Sequence, residues 1–295
     1  MESFFIALAS TGLFAAWLSS AHLAPVPLAC SGGINYAKVA TLNAATLRTT
    51  TLAPFGRPEQ GWQIYEPQVA HTIGTSCAPD TKAFAATLAA WQSRNRLRPT
   101  GAVDPATLGA MKFTWQHARP FIAGFEKGAC PQAAADANLT DIAKSEGWLG
   151  KPGKLHAQAL AALRRMAAAA RAADPRIAAD RQMLTVVSAF RSPAYDAAKC
   201  ASEGTCNGIA KARCSAHRTG TAVDLYVGAL PGHSPVASDD ANRLYQSQTP
   251  TYRWLVQNGA RFGFVNYVFE PWHWEWVGTQ QPRTPPNNVF TAGVN

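Results

Sequence analysis

Two short polar motifs interrupt apolar, β-rich stretches in the last third of this 295-residue chain. The first motif, residues 215–224, reads SAHRTGTAVD, and the second motif, residues 270–275, reads EPWHWE. Asp224 lies between Val223 and Leu225. An ionised carboxylate is costly to bury in such an apolar strand unless it meets a cation or another partner. The fold must therefore bring a compensating group to Asp224.

The two motifs together contain side chains that suit a metal ion. Zinc in a catalytic site takes three protein ligands of the His, Asp, Glu or Cys type and keeps one position open. His217, Asp224 and His273 offer two imidazoles and one carboxylate. Glu270 precedes His273 by three residues, and the intervening Pro271 stiffens the turn. We therefore expect a carboxylate beside the ion, placed to act as general base on a water molecule.

Both motifs resemble those of the VanY-type D-alanyl-D-alanine carboxypeptidases, in a metallopeptidase group with lysostaphin-like enzymes and hedgehog signalling domains. The group pattern S-x-H-x-x-G-x-A-x-D matches from Ser215 to Asp224, and the pattern E-P-W-H-[WYF]-E matches from Glu270 to Glu275. The resemblance covers about residues 155–278. It implies an α+β fold on a small antiparallel sheet, one bound Zn²⁺ ion and hydrolysis of peptide bonds in peptidoglycan stem peptides.

The resemblance also implies roles for individual residues. His217, Asp224 and His273 would be the zinc ligands, and Glu270 would be the catalytic base that later returns its proton to the leaving amine. Residues 188–192 read SAFRS and are similar to the family segment S-G-[YF]-R-S. Arg191 in this segment would stabilise the developing oxyanion or hold a substrate carboxylate, since its guanidinium offers several fixed donors.

Further residues near the motifs are candidates for binding or support. Ser215 would help to bind the substrate carboxylate, and Trp272 is a candidate for the wall of the substrate cleft or for the core. Glu275 is either a hydrogen-bond partner of a metal-bound histidine or a simple salt-bridged residue. The chain departs from the family at Asp196, where glutamine is frequent, and at Ala189, where glycine is common.

Residues 62–113 predict a small helical module. Apolar side chains recur at helical spacing after Asp80, a candidate N-cap, and Asp104-Pro105 is typical of a second helix start. The stretch resembles the peptidoglycan-binding repeat found beside wall hydrolases, which implies a three-helix bundle. A generic helical hairpin is the alternative. The matching residues are Trp91-Gln92, Leu97, Thr100-Gly101, Val103-Asp104 and Thr107.

The pattern of apolar residues along the rest of the chain predicts its strands, helices and domain boundaries. Residues 183–189, 221–227, 264–269 and 272–277 read as strands, and residues 156–173 and 252–259 read as helices. This mixture predicts an α+β domain. The expected organisation is a signal peptide or membrane anchor (1–29), a linker (30–61), the helical module (62–113), a connector (114–150), the metallopeptidase domain (151–278) and a loose tail (279–295).

Six cysteines fit an exported protein. Cys77 with Cys130 is one expected disulfide, and one local bridge is expected among Cys200, Cys206 and Cys214. Two alternatives stay open at this point. The last three cysteines could join His217 in a structural zinc site, and Cys30 could carry a lipid.

The net charge of +9 favours attraction to an anionic polymer. The chain has no run of arginine or lysine, which disfavours nucleic acid. Charge alone does not distinguish an acidic cell wall from an anionic membrane. The resemblance to wall hydrolases implies peptidoglycan as the partner. With the N-terminal segment, it leads us to expect no other membrane contact, a monomer, and a location in the periplasm or cell envelope.

The leading functional hypothesis is a D-alanyl-D-alanine carboxypeptidase. A peptidoglycan endopeptidase of the same fold and a non-catalytic, zinc-containing wall-binding protein are the alternatives. A serine-type peptidase is disfavoured because the sequence contains neither Ser-x-x-Lys nor Gly-x-Ser-x-Gly.

Overall fold

The computed structural model describes residues 30–31, 34–203 and 214–278. The predicted leader (1–29) and tail (279–295) lie outside this part of the chain. Within the described residues, no helix combines the length and apolar character needed to cross a membrane. The N-terminal part, here called the helical region (residues 34–125), contains α1 (Ala37–Thr49), β1 (Thr51–Leu52), β2 (Glu59–Gln60), α2 (Glu66–Ile73), α3 (Lys82–Arg94), α4 (Pro105–His117) and α5 (Pro120–Phe125).

Local capping explains where the helices of this region begin. The Asp104 carboxylate accepts a hydrogen bond from the Thr107 amide at 2.7 Å, with Pro105 in the first turn of α4, as the sequence predicted. Helix α3 is capped by Thr81, whose hydroxyl accepts from the Phe84 amide at 3.2 Å, and not by the expected Asp80.

Gln92 fixes the turn between α3 and α4. Its side-chain amide is completely buried. The amide donates to the Thr107 hydroxyl at 2.8 Å and to the Ala102 carbonyl at 3.0 Å, and its oxygen accepts from the Gly101 amide at 2.8 Å. Gln92 is one of the residues that carry the resemblance to the wall-binding repeat, and its place in the interior gives it a structural role.

The predicted linker over residues 30–61 contains helix α1. Its anchor is the buried Asn43, whose amide donates to the Gly101 carbonyl at 2.9 Å and whose oxygen accepts from the Val103 amide at 3.0 Å. Ala40 and Asn43 are the buried residues of α1. A helix that buries so few residues does not need an apolar stripe. The sequence of α1 therefore gave no signal for a packed helix.

The C-terminal part, here called the sheet domain (residues 139–278), has the predicted α+β character. Its four-stranded sheet is antiparallel, in the order β5-β6-β8-β7, and a two-stranded ladder pairs β3 with β4. The elements are β3 (Leu139–Asp141), β4 (Lys154–His156), α6 (Ala157–Ala173), α7 (Pro175–Ala179), β5 (Val186–Ser188), α8 (Pro193–Glu203), β6 (Ala222–Leu225), α9 (Asp240–Gln248), α10 (Pro250–Asn258), β7 (Phe264–Asn266) and β8 (His273–Trp276).

The core of the sheet domain lies between helix α6 and one face of the sheet. Leu160 and Met166 of α6 share a buried cluster with Val223, Leu225 and Trp274 of the strands. Burying this apolar surface stabilises the sheet, and it leaves the polar residues of both motifs on the opposite face.

The helical region packs directly against the sheet domain. Val268 of the sheet domain belongs to the buried cluster of the helical region. Arg243 of α9 is fully buried and pairs with Glu59 of β2 at 2.9 Å, and it also donates to the Tyr65 hydroxyl at 2.8 Å. The two parts therefore share an interior that the sequence, which predicted a connector between separate modules, did not reveal.

Two disulfides correct the expected cysteine pairing. Cys30 bonds to Cys77, and Cys130 bonds to Cys214, so the predicted Cys77–Cys130 bridge is wrong. The first bond excludes lipidation of Cys30. Cys200 is also disulfide-bonded, and Cys206 lies outside the described residues. A structural zinc site built on these cysteines is therefore wrong as well, since the sulfurs of Cys200 and Cys214 are already oxidised.

Candidate metal centre

Sheet register brings Asp224 and His273 together. In the antiparallel pair β6–β8, Asp224 lies directly opposite His273. His217 arrives from a short 3₁₀ helix, Ala216–Thr219, which immediately precedes β6. The Ser215 hydroxyl caps this helix by accepting from the His217 amide at 3.2 Å, and Gly220 ends it in the left-handed region at φ 68°.

The three side chains converge on one small volume. Asp224 Oδ1 lies 2.9 Å from His273 Nδ1 and 3.2 Å from His217 Nε2. One candidate ligand atom from each residue lies within 4.8 Å of the other two. Ligands about 2.0–2.2 Å from a tetrahedral zinc ion lie roughly 3.3 Å from one another. The donor set and its spacing therefore fit a zinc ion.

In each imidazole, the ring nitrogen that points away from Asp224 has its own partner. His217 Nδ1 donates to the Ala189 carbonyl at 2.8 Å, and His273 Nε2 lies 3.3 Å from Glu275 Oε1. Such contacts fix the tautomer and the ring orientation of a metal-binding histidine. They leave Nε2 of His217 and Nδ1 of His273 directed toward Asp224.

The protonation states differ between the two histidines. Burial lowers the pKa of His217 despite the nearby Asp224 carboxylate, which favours the neutral imidazole that a metal needs. Burial also opposes protonation of His273, but hydrogen bonds to Asp224 and Glu275 raise its pKa to about 9. Although burial tends to raise the pKa of Asp224, both histidines hold it well below the ordinary value.

Glu270 is positioned by a tight turn. The His273 amide donates to the Glu270 carbonyl at 2.9 Å across Pro271 and Trp272, which is the stiff turn that the sequence predicted. Burial raises the pKa of Glu270, and the positive charge of His273 partly offsets this rise. A partly buried carboxylate with a raised pKa is suited to accept a proton.

A cleft of about 930 Å³ contains the site. Its lining includes the motif residues Glu270 and His273, and also Phe113, Phe121 and Phe125 from α4 and α5. The helical region therefore supplies part of the cleft wall.

One cleft thus contains two imidazoles, an aspartate and a glutamate. Residues 152–279 match the VanY family. The family is described as D-alanyl-D-alanine carboxypeptidase, and the match includes both motifs. A comparison of the chain with curated proteins finds no match. The VanY match supports a peptidase in the sheet domain, and the helical region lies outside the matched residues.

The other predicted site residues also lie at the cleft. Arg191 follows β5 and donates to Asp224 Oδ2 at 2.9 Å and to the Ser188 hydroxyl at 3.0 Å. Ser215 and Trp272 line the cleft too, although the side chain of Trp272 is almost fully buried. The structure thus brings all seven predicted residues of the VanY-like site into one region.

Two supporting groups were missed at the sequence level. Asp196 is buried, accepts from the Ser215 amide at 3.2 Å and pairs with Arg218 at 3.2 Å. Its departure from the family pattern was the only signal for it. Arg119 binds Glu275 from the helical region, with Nε donating at 2.7 Å, and no motif in the sequence marks this arginine.

Proposed function

We propose that this protein is a zinc-dependent peptidase that removes the terminal D-alanine from peptidoglycan stem peptides. The observation that carries the proposal is the meeting of His217, Asp224, His273 and Glu270 in one cleft. The VanY family match over residues 152–279 supports the D-alanyl-D-alanine bond as the target. His217, Asp224 and His273 would hold the ion.

Glu270 is the residue that transfers the proton. A bound zinc ion supplies Lewis acidity and makes hydroxide accessible at neutral pH. Glu270 accepts the proton of the attacking water and returns it to the leaving amine. Its raised pKa makes it a stronger base than an exposed glutamate, which is what both transfers need.

Substrate orientation falls to Arg191 and Ser215. The Arg191 guanidinium lines the cleft beside Asp224 and can donate to a scissile carbonyl oxygen or to a terminal carboxylate. The Ser215 hydroxyl accepts from the His217 amide and keeps its own hydrogen for donation to a carboxylate. Trp272 contributes an apolar wall.

The cellular setting is also part of the proposal. The disulfides of the chain suit an oxidising compartment, and the charge of +9 suits an anionic wall polymer. We therefore propose an exported monomer of the periplasm or cell envelope with peptidoglycan as its partner. The repeat-like residues Trp91, Gln92 and Thr107 of the helical region are buried, so they stabilise its fold and do not form a binding face.

An endopeptidase is the second candidate function. The cleft volume of about 930 Å³ lies near the upper end of the roughly 300–1,000 Å³ typical of small-molecule pockets. Two alanine residues fill only a small part of such a space. The cleft therefore suits a longer stem peptide, which either a carboxypeptidase or an endopeptidase could accept.

Mass spectrometry of purified muropeptides after incubation tests the proposal. The expected product is a stem peptide shortened by one D-alanine, formed without a chelator and absent with one. Split cross-links instead would establish the endopeptidase. Unchanged muropeptides under all conditions, with metal bound to the protein, would replace both with a binding function.

A further inference from the structure

Arg119 joins the helical region to the candidate metal centre. It lies between α4 and α5, upstream of the residues that match VanY, and it is only 5 % exposed. Its Nε donates to Glu275 Oε1 at 2.7 Å, and a terminal nitrogen contacts the same oxygen at 2.6 Å. Its guanidinium also lies 4.1 Å from the centre of the Tyr267 ring. The arginine is thus held between the two parts of the molecule.

Glu275 links Arg119 to His273, a candidate metal ligand. The Glu275 oxygen that Arg119 binds also lies 3.3 Å from His273 Nε2, while His273 Nδ1 faces Asp224. Glu275 is 3 % exposed, so water does not replace a lost partner easily. A carboxylate behind a metal-binding imidazole fixes the ring and its tautomer, provided that the carboxylate itself is held in place.

Removal of Arg119 would leave the Glu275 charge buried without its main partner. An uncompensated buried charge is strongly destabilising, so the carboxylate shifts toward another donor or toward the surface. Either change alters the hydrogen bond to His273, and it therefore changes the direction in which His273 Nδ1 points. Gln116, whose oxygen accepts from Arg119 at 2.7 Å, cannot replace a positive charge.

We propose that Arg119 is a positioning residue that orients His273 through Glu275, so that the helical region completes the metal centre. This inference rests on the proposed function, because it assumes that His273 binds a metal. It goes beyond the family match, because Arg119 lies outside residues 152–279. The helical region then acts as part of the catalytic unit.

Zinc affinity tests this inference directly. The dissociation constant for Zn²⁺ is measured by competition with a chromophoric chelator in the wild type, Arg119→Met, Arg119→Lys and Arg253→Met. Loss of the carboxylate behind a metal-binding histidine typically weakens metal affinity by about 10–100-fold. Because Arg119 acts through that carboxylate, we expect a loss at the lower end of this range, about 10-fold, in Arg119→Met and a smaller loss in Arg119→Lys. Arg253 pairs with Glu66 at 2.7 Å on the surface between the two parts, and Arg253→Met is expected to bind like the wild type.

A Glu275→Gln background separates positioning from a general loss of stability. If Arg119 acts through Glu275, adding Arg119→Met to Glu275→Gln weakens zinc binding no further. This comparison also remains informative if the single Arg119→Met variant does not fold, since the double variant no longer buries an unpaired carboxylate. Affinity within about threefold of wild type in folded Arg119→Met would overturn the inference. Absence of zinc binding by the wild type would overturn the proposed function with it.

Discussion

Two glutamates of the second motif lie in opposite electrostatic environments. Burial raises the pKa of Glu270, with only partial relief from His273. Burial tends to raise the pKa of Glu275 too, but the Arg119 guanidinium and His273 lower it to about 2. Environments that separate the pKa values of neighbouring carboxyl groups assign them different tasks. Glu270 suits proton transfer, and Glu275 suits a permanent negative charge behind His273.

Replacement of Glu270 by glutamine should separate catalysis from metal binding. Glutamine keeps the size of the side chain but cannot accept a proton. General acid–base catalysis contributes about 10²–10⁴-fold, so we expect kcat for release of D-alanine to fall by that factor. Zinc content, measured on the same preparation, should stay at the wild-type level. Activity close to wild type would show that another group moves the proton.

Acid stability should reveal the Glu275 charge. Its folded pKa of about 2 lies below the value of about 4.3 for an unfolded glutamate. The ionised form therefore stabilises the fold above about pH 4.3, and this contribution, a few kcal/mol, is lost as the pH falls toward 2. Urea unfolding of the metal-free protein at about pH 5 and pH 3 should show a smaller pH dependence for Glu275→Gln than for wild type. Equal dependence in both proteins would contradict the buried pair.

The sequence alone predicts those residues of the candidate site whose chemical role shows in the short motif around them. His217, Asp224, Glu270 and His273 stand in two motifs with unusual composition, and an acid inside an apolar strand demands a partner. Arg119 offered no such signal, because its partner Glu275 lies 156 positions away along the chain. An isolated arginine in a sequence cannot be distinguished from a surface residue.

At the scale of elements, the turn at Gly220 sets the position of His217. Gly220 ends the 3₁₀ helix at φ 68° and is followed by β6. A Cβ at this position would lie 2.6 Å from Leu139 Cδ2. The left-handed backbone therefore favours glycine, and an alanine here would also force the end of the Leu139 side chain to move.

Gly220→Ala is expected to destabilise the protein by more than Gly74→Ala. The left-handed conformation costs an alanine about 1–2 kcal/mol. Gly74 has a similar φ of 78°, but no neighbouring atom lies within 4 Å of the place that an alanine Cβ would take there, so it reports the backbone cost alone. The free energies of unfolding from urea titrations give the comparison. Equal losses would mean that Leu139 moves aside without cost.

The elements themselves were predictable where they follow a clear period. The predicted strands over 183–189 and 272–277 contain β5 and β8, and the predicted helix over 156–173 matches α6 to within one residue. Helix α1 was missed because it buries only a small part of its surface. Its partners, the turn residues Gly101 and Val103, belong to a distant stretch of sequence.

At the scale of the whole molecule, buried polar contacts join the two parts. Arg243 is fully buried against Glu59 and Tyr65, and its guanidinium lies 3.9 Å from the centre of the Phe269 ring. Its Nε donates to the Phe269 carbonyl at 2.7 Å. This cluster supports the chain directly before Glu270, so the packing of the helical region reaches the site at a second place.

Arg243→Met should destabilise the protein far more than Arg253→Met. Removing one member of a buried ion pair costs about 3–5 kcal/mol because the other charge stays buried. An exposed pair contributes about 0–1 kcal/mol, and Arg253 is 40 % exposed in its pair with Glu66. Free energies of unfolding at neutral pH provide the test. A loss below about 1 kcal/mol for Arg243→Met would show that the cluster does not stabilise the shared interior.

The joint packing could not be predicted because it depends on contacts between distant positions. Local patterns correctly indicated helices followed by an α+β domain, but the pairing of Cys130 with Cys214 and of Arg243 with Glu59 carries no local trace. Six cysteines allow 15 pairings, and a single sequence gives no means of choosing among them.

The metal content of the purified protein tests the central claim most directly. Elemental analysis and native mass spectrometry of the wild type, Glu270→Gln, His217→Ala and His273→Ala give the number of zinc ions per chain. We predict one ion in the wild type and in Glu270→Gln, and none in the two histidine variants. A wild type that takes up no zinc, or histidine variants that retain it, would contradict the convergence of these side chains on one ion.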